Sequence, residues 1–204
     1  MEWVDYEFFY LNKAPQGSQP WLDARAALDA TTSIFNKVRR HIENNGPAPD
    51  KTPFEPNEAM KLGTKLEPHL RKWFETSGYL PPGSQIMEIG LVVPKFCTRI
   101  GASIDGLVII DGKPSGIIEI KTTAKMYSSI LDHSGKQEHY ISPSHYDQMQ
   151  GSLACLNMPW CYYILYEHTT NTIHIEKIMR NQEYWDAILY PSIIKYIQSL
   201  ASKK

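Results

Sequence analysis

From Gly101 to Lys121 the chain reads Gly-Ala-Ser-Ile-Asp-Gly-Leu-Val-Ile-Ile-Asp-Gly-Lys-Pro-Ser-Gly-Ile-Ile-Glu-Ile-Lys. Two apolar runs, Leu107 to Ile110 and Ile117 to Ile120, flank Asp111-Gly112 and Pro114-Ser115-Gly116. Strong turn residues between two apolar runs predict a β-hairpin. Strand side chains alternate between faces, so Ile117, Glu119 and Lys121 point one way while Ile118 and Ile120 point the other. With Ile110 pairing near Ile117, Asp105 falls opposite Lys121 or Thr122. Two acids and an amine then share one patch.

Carboxylates set among isoleucines are costly to bury unless their charge is compensated. A divalent cation does this, and oxygen donors suit Mg²⁺ or Mn²⁺, with the Ile120 carbonyl between the two side chains as a further ligand. Lys121 would orient or help deprotonate a water at such an ion, and phosphodiester hydrolysis follows as the leading chemistry. The plainer alternative is a surface hairpin with Glu119 and Lys121 solvated and Asp105 serving only the turn.

The rest of the composition narrows the setting. At 204 residues and 42% hydrophobic, the chain is long enough for one well-buried domain, expected over residues 1–204 with 1–20 as an N-terminal arm. A formal net charge of −1 gives no global positive field to draw in nucleic acid, so such contacts would come from local patches or metals. Three cysteines without CxxC spacing suit a reducing compartment and cannot ligate an iron–sulfur cluster by themselves. No basic-then-apolar leader and no run of membrane-spanning length stand out, so an intracellular protein with no membrane contact is expected, in the cytoplasm or nucleus of a host cell.

Outside the hairpin, a helical pattern runs from Trp21 to about His41 in two segments, with Thr31, Thr32 and Ser33 at the start of the second. Hydroxyls there cap free N–H groups, or, with a nearby arginine, cradle a phosphate. Lys37, Arg39 and Arg40 read as a solvated basic face. Glu58 to about Thr76 is a stronger helix, with Ala59, Leu62, Gly63, Leu66, Leu70, Trp73 and Phe74 as its apolar stripe. Glu67 lies on that stripe beside the helix-bending Pro68, either paired with a histidine or arginine or serving as a third acid toward the hairpin. Strands are expected at Ile86 to Val93 and Phe96 to Ser103. Thr122 to Ser142, with Lys125, Tyr127, Lys136 and Tyr140, reads as a substrate-facing loop, and His133 and His139 lack the partners of a zinc site. Ser142-Pro143 opens a helix to about Leu156. There Gln148 and Gln150 lie about 200° apart, so one of them at most faces the hairpin. Two strands, Pro159 to Tyr166 and Thr172 to Met179, and a closing helix interrupted at Pro191 complete an α/β (α+β) chain with a mixed sheet flanked by helices.

With Glu67, Asp105, Glu119-Ile120-Lys121 and Gln148 in order, the chain resembles the PD-(D/E)XK nuclease superfamily. More narrowly it resembles the lambda-exonuclease branch, the YqaJ-type viral recombinases, over roughly Trp21 to Met179. Gly63-Thr64-Lys65-Leu66-Glu67-Pro68, Ser103-Ile104-Asp105-Gly106 and Gln148-Met149-Gln150 match its motifs, with Ile104 where the family has proline. Trp21-Leu22-Asp23-Ala24-Arg25 and Thr31-Thr32-Ser33 match its end-binding segments, the latter with one extra residue between. The resemblance implies a restriction-endonuclease-like core and a metal-dependent exonuclease that digests one strand of double-stranded DNA from 5′ to 3′, leaving single-stranded 3′ overhangs for recombination. It implies two Mg²⁺ ions, replaceable by Mn²⁺. Asp105, Glu119 and the Ile120 carbonyl would hold the principal ion and Glu67 the second ion or its water. Lys121 would assist the attacking water, with Gln148 orienting it. Arg25 with Ser33, or alternatively Thr32, would hold the 5′ phosphate. A homotrimer and a single-strand annealing partner belong to the same expectation. The rival readings are a structure-specific or restriction-type endonuclease on this fold, and a DNA-binding or assembly protein whose hairpin is only structural.

Overall fold

The computed structural model of the chain describes residues 3–49, 57–126, 130–131, 138–139 and 141–202. Strands β1 (Trp3–Asp5) and β2 (Phe9–Asn12) open the chain, followed by helices α1 (Gln19–Ala26) and α2 (Phe35–Asn44), with the two-residue strand β3 (Ala30–Thr31) between them. A single 3-10 turn, Thr32–Ile34, leads into α2, and α3 spans Glu58–Thr76. Next come β4 (Gln85–Met87), β5 (Leu91–Pro94), β6 (Ile100–Gly101), β7 (Gly106–Ile110) and β8 (Lys113–Thr123). The short pair β9 (Ile130–Leu131) and β10 (Glu138–His139) precedes α4 (Pro143–Leu156), β11 (Trp160–Glu167) and β12 (Thr172–Met179). Helices α5 (Gln182–Tyr184) and α6 (Tyr190–Ala201) close the fold, joined by a π turn at Trp185–Leu189.

The central sheet has the order β12-β11-β8-β7-β4, with β8 and β11 parallel and the other pairings antiparallel. Helices lie on both of its faces, and the alternation on β8 sorts them. Ile117 faces the larger core, shared with Phe35 and Val38 of α2, Met149 and Leu153 of α4, and Ile193 and Ile197 of α6. Ile118 and Ile120 face the smaller core with Leu70 and Phe74 of α3. Each such apolar side chain, when fully buried, contributes about 1.5–3 kcal/mol. Parallel pairing aligns Tyr163 with Glu119 and Leu165 with Lys121, so all four side chains stand on the α2–α4 face.

Several sequence expectations are corrected here. Within residues 1–20, expected as an N-terminal arm, β2 pairs antiparallel with β5 and α1 already begins at Gln19. The expected strand Ile86 to Val93 is split between two sheets at Glu88–Gly90, and Phe96 to Ser103 keeps only β6, which pairs with β3. Trp73 and Ala59 are exposed, so the buried stripe of α3 narrows to Leu66, Leu70 and Phe74, at the four-residue spacing of one helix face. At the closing helix, Pro191 sits in the first turn of α6 and the irregularity falls just before it, in the π turn. Of the expected loop, Thr122 and Thr123 extend β8, while Tyr127, His133, Lys136 and Tyr140 lie outside the described residues. Among the described residues no helix is long and apolar enough to cross a membrane.

Candidate active site

The hairpin register decides where Asp105 stands. Asp111 and Gly112 both have positive φ, 50° and 74°, the conformation of a two-residue turn that matches strand twist. Ile110 therefore pairs with Lys113, not near Ile117, and Pro114 is accommodated beside a bulge where Ser115 is the extra residue. With Gly106 opposite Ile118, Asp105 falls beside Glu119, two residues nearer the turn than Lys121. Its Oδ2 accepts the Ile120 N–H at 2.6 Å. The N–H and C=O of one strand residue leave on the same edge, so the Ile120 carbonyl also opens toward Asp105.

Glu119 is fully buried, at 0% exposure. Lys121 Nζ (2.5 Å) and Gln148 Nε2 (2.6 Å) both donate to its Oε1, while Oε2 is buried with no hydrogen-bond partner. Burial pushes its pKa up to about 8 against the pull of Lys121, and Asp105 adds repulsion. Burial raises Asp105 as well, opposed by Lys121 and the Ile120 N–H. For Lys121, burial acts downward, but the attraction of Glu119 and then Asp105 outweighs it, and the amine keeps its proton.

Glu67, on the α3 face, is held by Arg71 one turn later at 2.6 Å, and the same guanidinium holds Glu88 at 2.6 Å. Its pKa rises to about 7 through burial and then repulsion by Asp105, against Arg71. Glu67 is thus paired with an arginine, the first of the two sequence alternatives. Among the described residues no three acidic, histidine or cysteine side chains gather closely enough to hold a metal ion by themselves.

At the helix start, Arg25 donates to Ser33 Oγ at 2.6 Å and to Ser103 Oγ at 3.2 Å, two residues before Asp105. Its guanidinium lies 5.1 Å from the Trp21 ring centroid. Its hydrogen-bond partners are neutral hydroxyls, and no carboxylate pairs with it among the described residues. Ser33 is exposed and bonded to Thr31 Oγ1, whereas Thr32 is buried with its hydroxyl against Ser152. The 3-10 turn has no side-chain cap, so these hydroxyls do not serve the helix end.

Of the two glutamines, Gln148 reaches Glu119, while Gln150 is buried and bridges the Met179 carbonyl and the Asn181 N–H. Sequence reasoning missed Arg71, although its four-residue spacing from Glu67 was visible. It also missed the His145–Tyr163 pair, which left no such sign. His145 Nδ1 and Tyr163 Oη are 2.8 Å apart. Burial, with a smaller push from Lys121, lowers the His145 pKa to about 4. The unfolded chain therefore takes up this proton first, and stability present above about pH 6.5 is lost as pH falls toward 4. In unfolding titrations over that window, His145→Gln is expected to remove up to one proton of pH dependence relative to wild type. Identical slopes would contradict a buried neutral imidazole.

A helix acid, an acid before one strand, Glu-x-Lys on the next and a helix glutamine, arranged around one mixed sheet, are the pattern of the PD-(D/E)XK superfamily. The sequence model of the YqaJ-like viral recombinase domain matches residues 23–159, and the chain belongs to that family. Among solved structures, an alkaline exonuclease (LHK-Exo) from Laribacter hongkongensis is similar, with TM-score 0.66 and 25% identity over 91% of this chain and 94% of that one. LHK-Exo in complex with dAMP superposes with TM-score 0.70 at 24% identity, again over 91% and 94% of the two chains. No curated protein sequence matches the chain.

Proposed function

We propose that the chain is a divalent-metal-dependent exonuclease that shortens duplex DNA from 5′-phosphorylated ends. The observation that carries this reading is the buried, partnerless Oε2 of Glu119 beside Asp105 and a protonated Lys121. Family membership and the likeness to an alkaline exonuclease support it. The carboxylates of Asp105 and Glu119 and the Ile120 carbonyl are hard oxygen donors, and a cation such as Mg²⁺ or Mn²⁺ would satisfy the orphaned oxygen. When bound, such an ion would withdraw charge from the scissile phosphate and offset the acids.

The chain's own groups do the rest. Gln148 and Lys121 together hold Oε1 and so keep Oε2 turned to the site. Lys121 orients the attacking water and, as an ammonium, stabilises negative charge developing on the phosphoryl oxygens. Glu67, one helix away, serves a second ion or its water, with Arg71 fixing its direction. Arg25 and Ser33 receive the terminal phosphate, with Thr32 committed to the core.

The test uses linear duplex labelled at either strand end, with and without a 5′ phosphate, beside a covalently closed circle, in Mg²⁺ and in chelator. The phosphorylated 5′ strand should shorten only with Mg²⁺, and the circle should survive. Nicking of the circle would replace the exonuclease by an endonuclease, and absence of any Mg²⁺-dependent cleavage would remove the nuclease reading. Arg25→Gln is expected to cost about ten- to a hundredfold in kcat/KM on phosphorylated ends, the worth of a charged hydrogen bond, and little on 5′-hydroxyl ends.

A further inference from the structure

Asp147 is a charged residue in the larger core, 1% exposed and next in sequence to Gln148. Both of its carboxylate oxygens are engaged. Oδ2 accepts from Asn36 Nδ2 at 2.8 Å and from Arg39 Nε at 2.9 Å, both on α2. Oδ1 accepts from the Tyr184 hydroxyl on α5. One turn further along α4, Gly151 lets Phe35 and Thr32 approach so closely that a Cβ there would stand 2.5 Å from the Phe35 ring, and Ser152 meets Thr32. Helix α4 is thus keyed to the start of α2 at two successive turns. A leucine at 147 would pack against several alignments of α2, whereas a buried carboxylate is satisfied only where Asn36 and Arg39 both reach it.

The two helices joined this way carry different halves of the site. The turn leading into α2 bears Ser33, bonded to Arg25, and α4 bears Gln148, bonded to Glu119. We propose that Asp147 is a positioning residue that locks these helices together and thereby makes cleavage depend on an occupied 5′-phosphate cradle. This rests on the reading of Arg25 and Ser33 as that cradle. Displacement of α2 along α4 would leave the phosphate bound but the scissile bond misplaced, and a misplacement of about 1 Å costs on the order of a hundredfold in rate.

The experiment compares kcat and KM on 5′-phosphorylated and 5′-hydroxyl linear duplex for wild type, Asp147→Asn, Asn36→Ala and Tyr184→Phe, each checked for folding by circular dichroism and thermal melting. Asn36→Ala removes one donor while Arg39 still pairs the carboxylate, so it carries the test if Asp147→Asn does not fold. Tyr184→Phe cuts the bond to α5 and leaves the α2–α4 link intact. Expected are a fall of about tenfold or more in kcat on phosphorylated ends for Asp147→Asn and Asn36→Ala with KM little changed, so that the preference for a phosphate shrinks, and a wild-type preference for Tyr184→Phe. A folded Asn36→Ala that keeps the wild-type preference overturns the coupling, as does an equal loss in Tyr184→Phe, which would mark general softening of the core. A wild-type protein that digests both ends alike with Mg²⁺ overturns the cradle and the coupling with it.

Discussion

Lys121→Ala is expected to leave the protein folded and bound to duplex DNA while Mg²⁺-dependent turnover falls by about 10²–10³-fold, the usual cost of losing one donor aimed at developing charge. The fold should survive because Lys121 is partly exposed, with a side chain 27% accessible, and because Gln148 still holds Glu119 Oε1 after the amine is gone. Binding should survive because the substitution touches neither Arg25 nor Ser33. Single-turnover cleavage together with an equilibrium binding assay separates the two effects. Turnover equal to wild type would remove Lys121 from the chemistry, and lost binding would move its role to substrate capture.

The second large effect is expected at Glu119. Glu119→Gln keeps the shape of the side chain and the bond from Gln148 in reach, but replaces the orphaned carboxylate oxygen by a group with no charge to offer a cation. Wild-type protein should melt at a higher temperature in Mg²⁺ than in chelator, since a ligand at a hundred times its dissociation constant adds about 2.7 kcal/mol. The variant should show no such shift. Its turnover should drop by about 10³-fold or more, the several kcal/mol that a bound cation supplies to the transition state. A Mg²⁺ shift of unchanged size in Glu119→Gln would place the cation elsewhere.

The hairpin turn and the boundaries of α3 and α4 were legible because each rests on local chemistry. Asp111-Gly112 fixes a turn, Asn57 caps α3 through the Met60 N–H, and Ser142 caps α4 through the His145 N–H. The strand pairing was not legible to the residue, because Pro114-Ser115-Gly116 carries turn chemistry as strong as Asp111-Gly112 and only the bulge at Ser115 settles which pair makes the bend. The partition of Ile86 to Val93 between two sheets was hidden for a different reason. Its apolar run continues across Glu88–Gly90, and only the pairing of β5 with the N-terminal strands, far away in sequence, divides it. Side-chain partners across the fold were the least visible. Nothing in the order of residues says that Asp147 meets Asn36 and Arg39, that Ser103 meets Arg25, or that Gln150 ends in the core.

The parallel pairing of Ala30–Thr31 with Ile100–Gly101 is only two residues long. From its far end one strand runs directly to Ser33 and the other directly to Ser103 and Asp105. The two segments are therefore joined by backbone at this pairing, braced on its other side by the Asp29–Arg99 ion pair. Fraying of those few rungs would loosen both segments at once, so amide exchange at Gly101, whose N–H points to the Ala30 carbonyl, should be as slow as in the central strands, despite the brevity of the pairing.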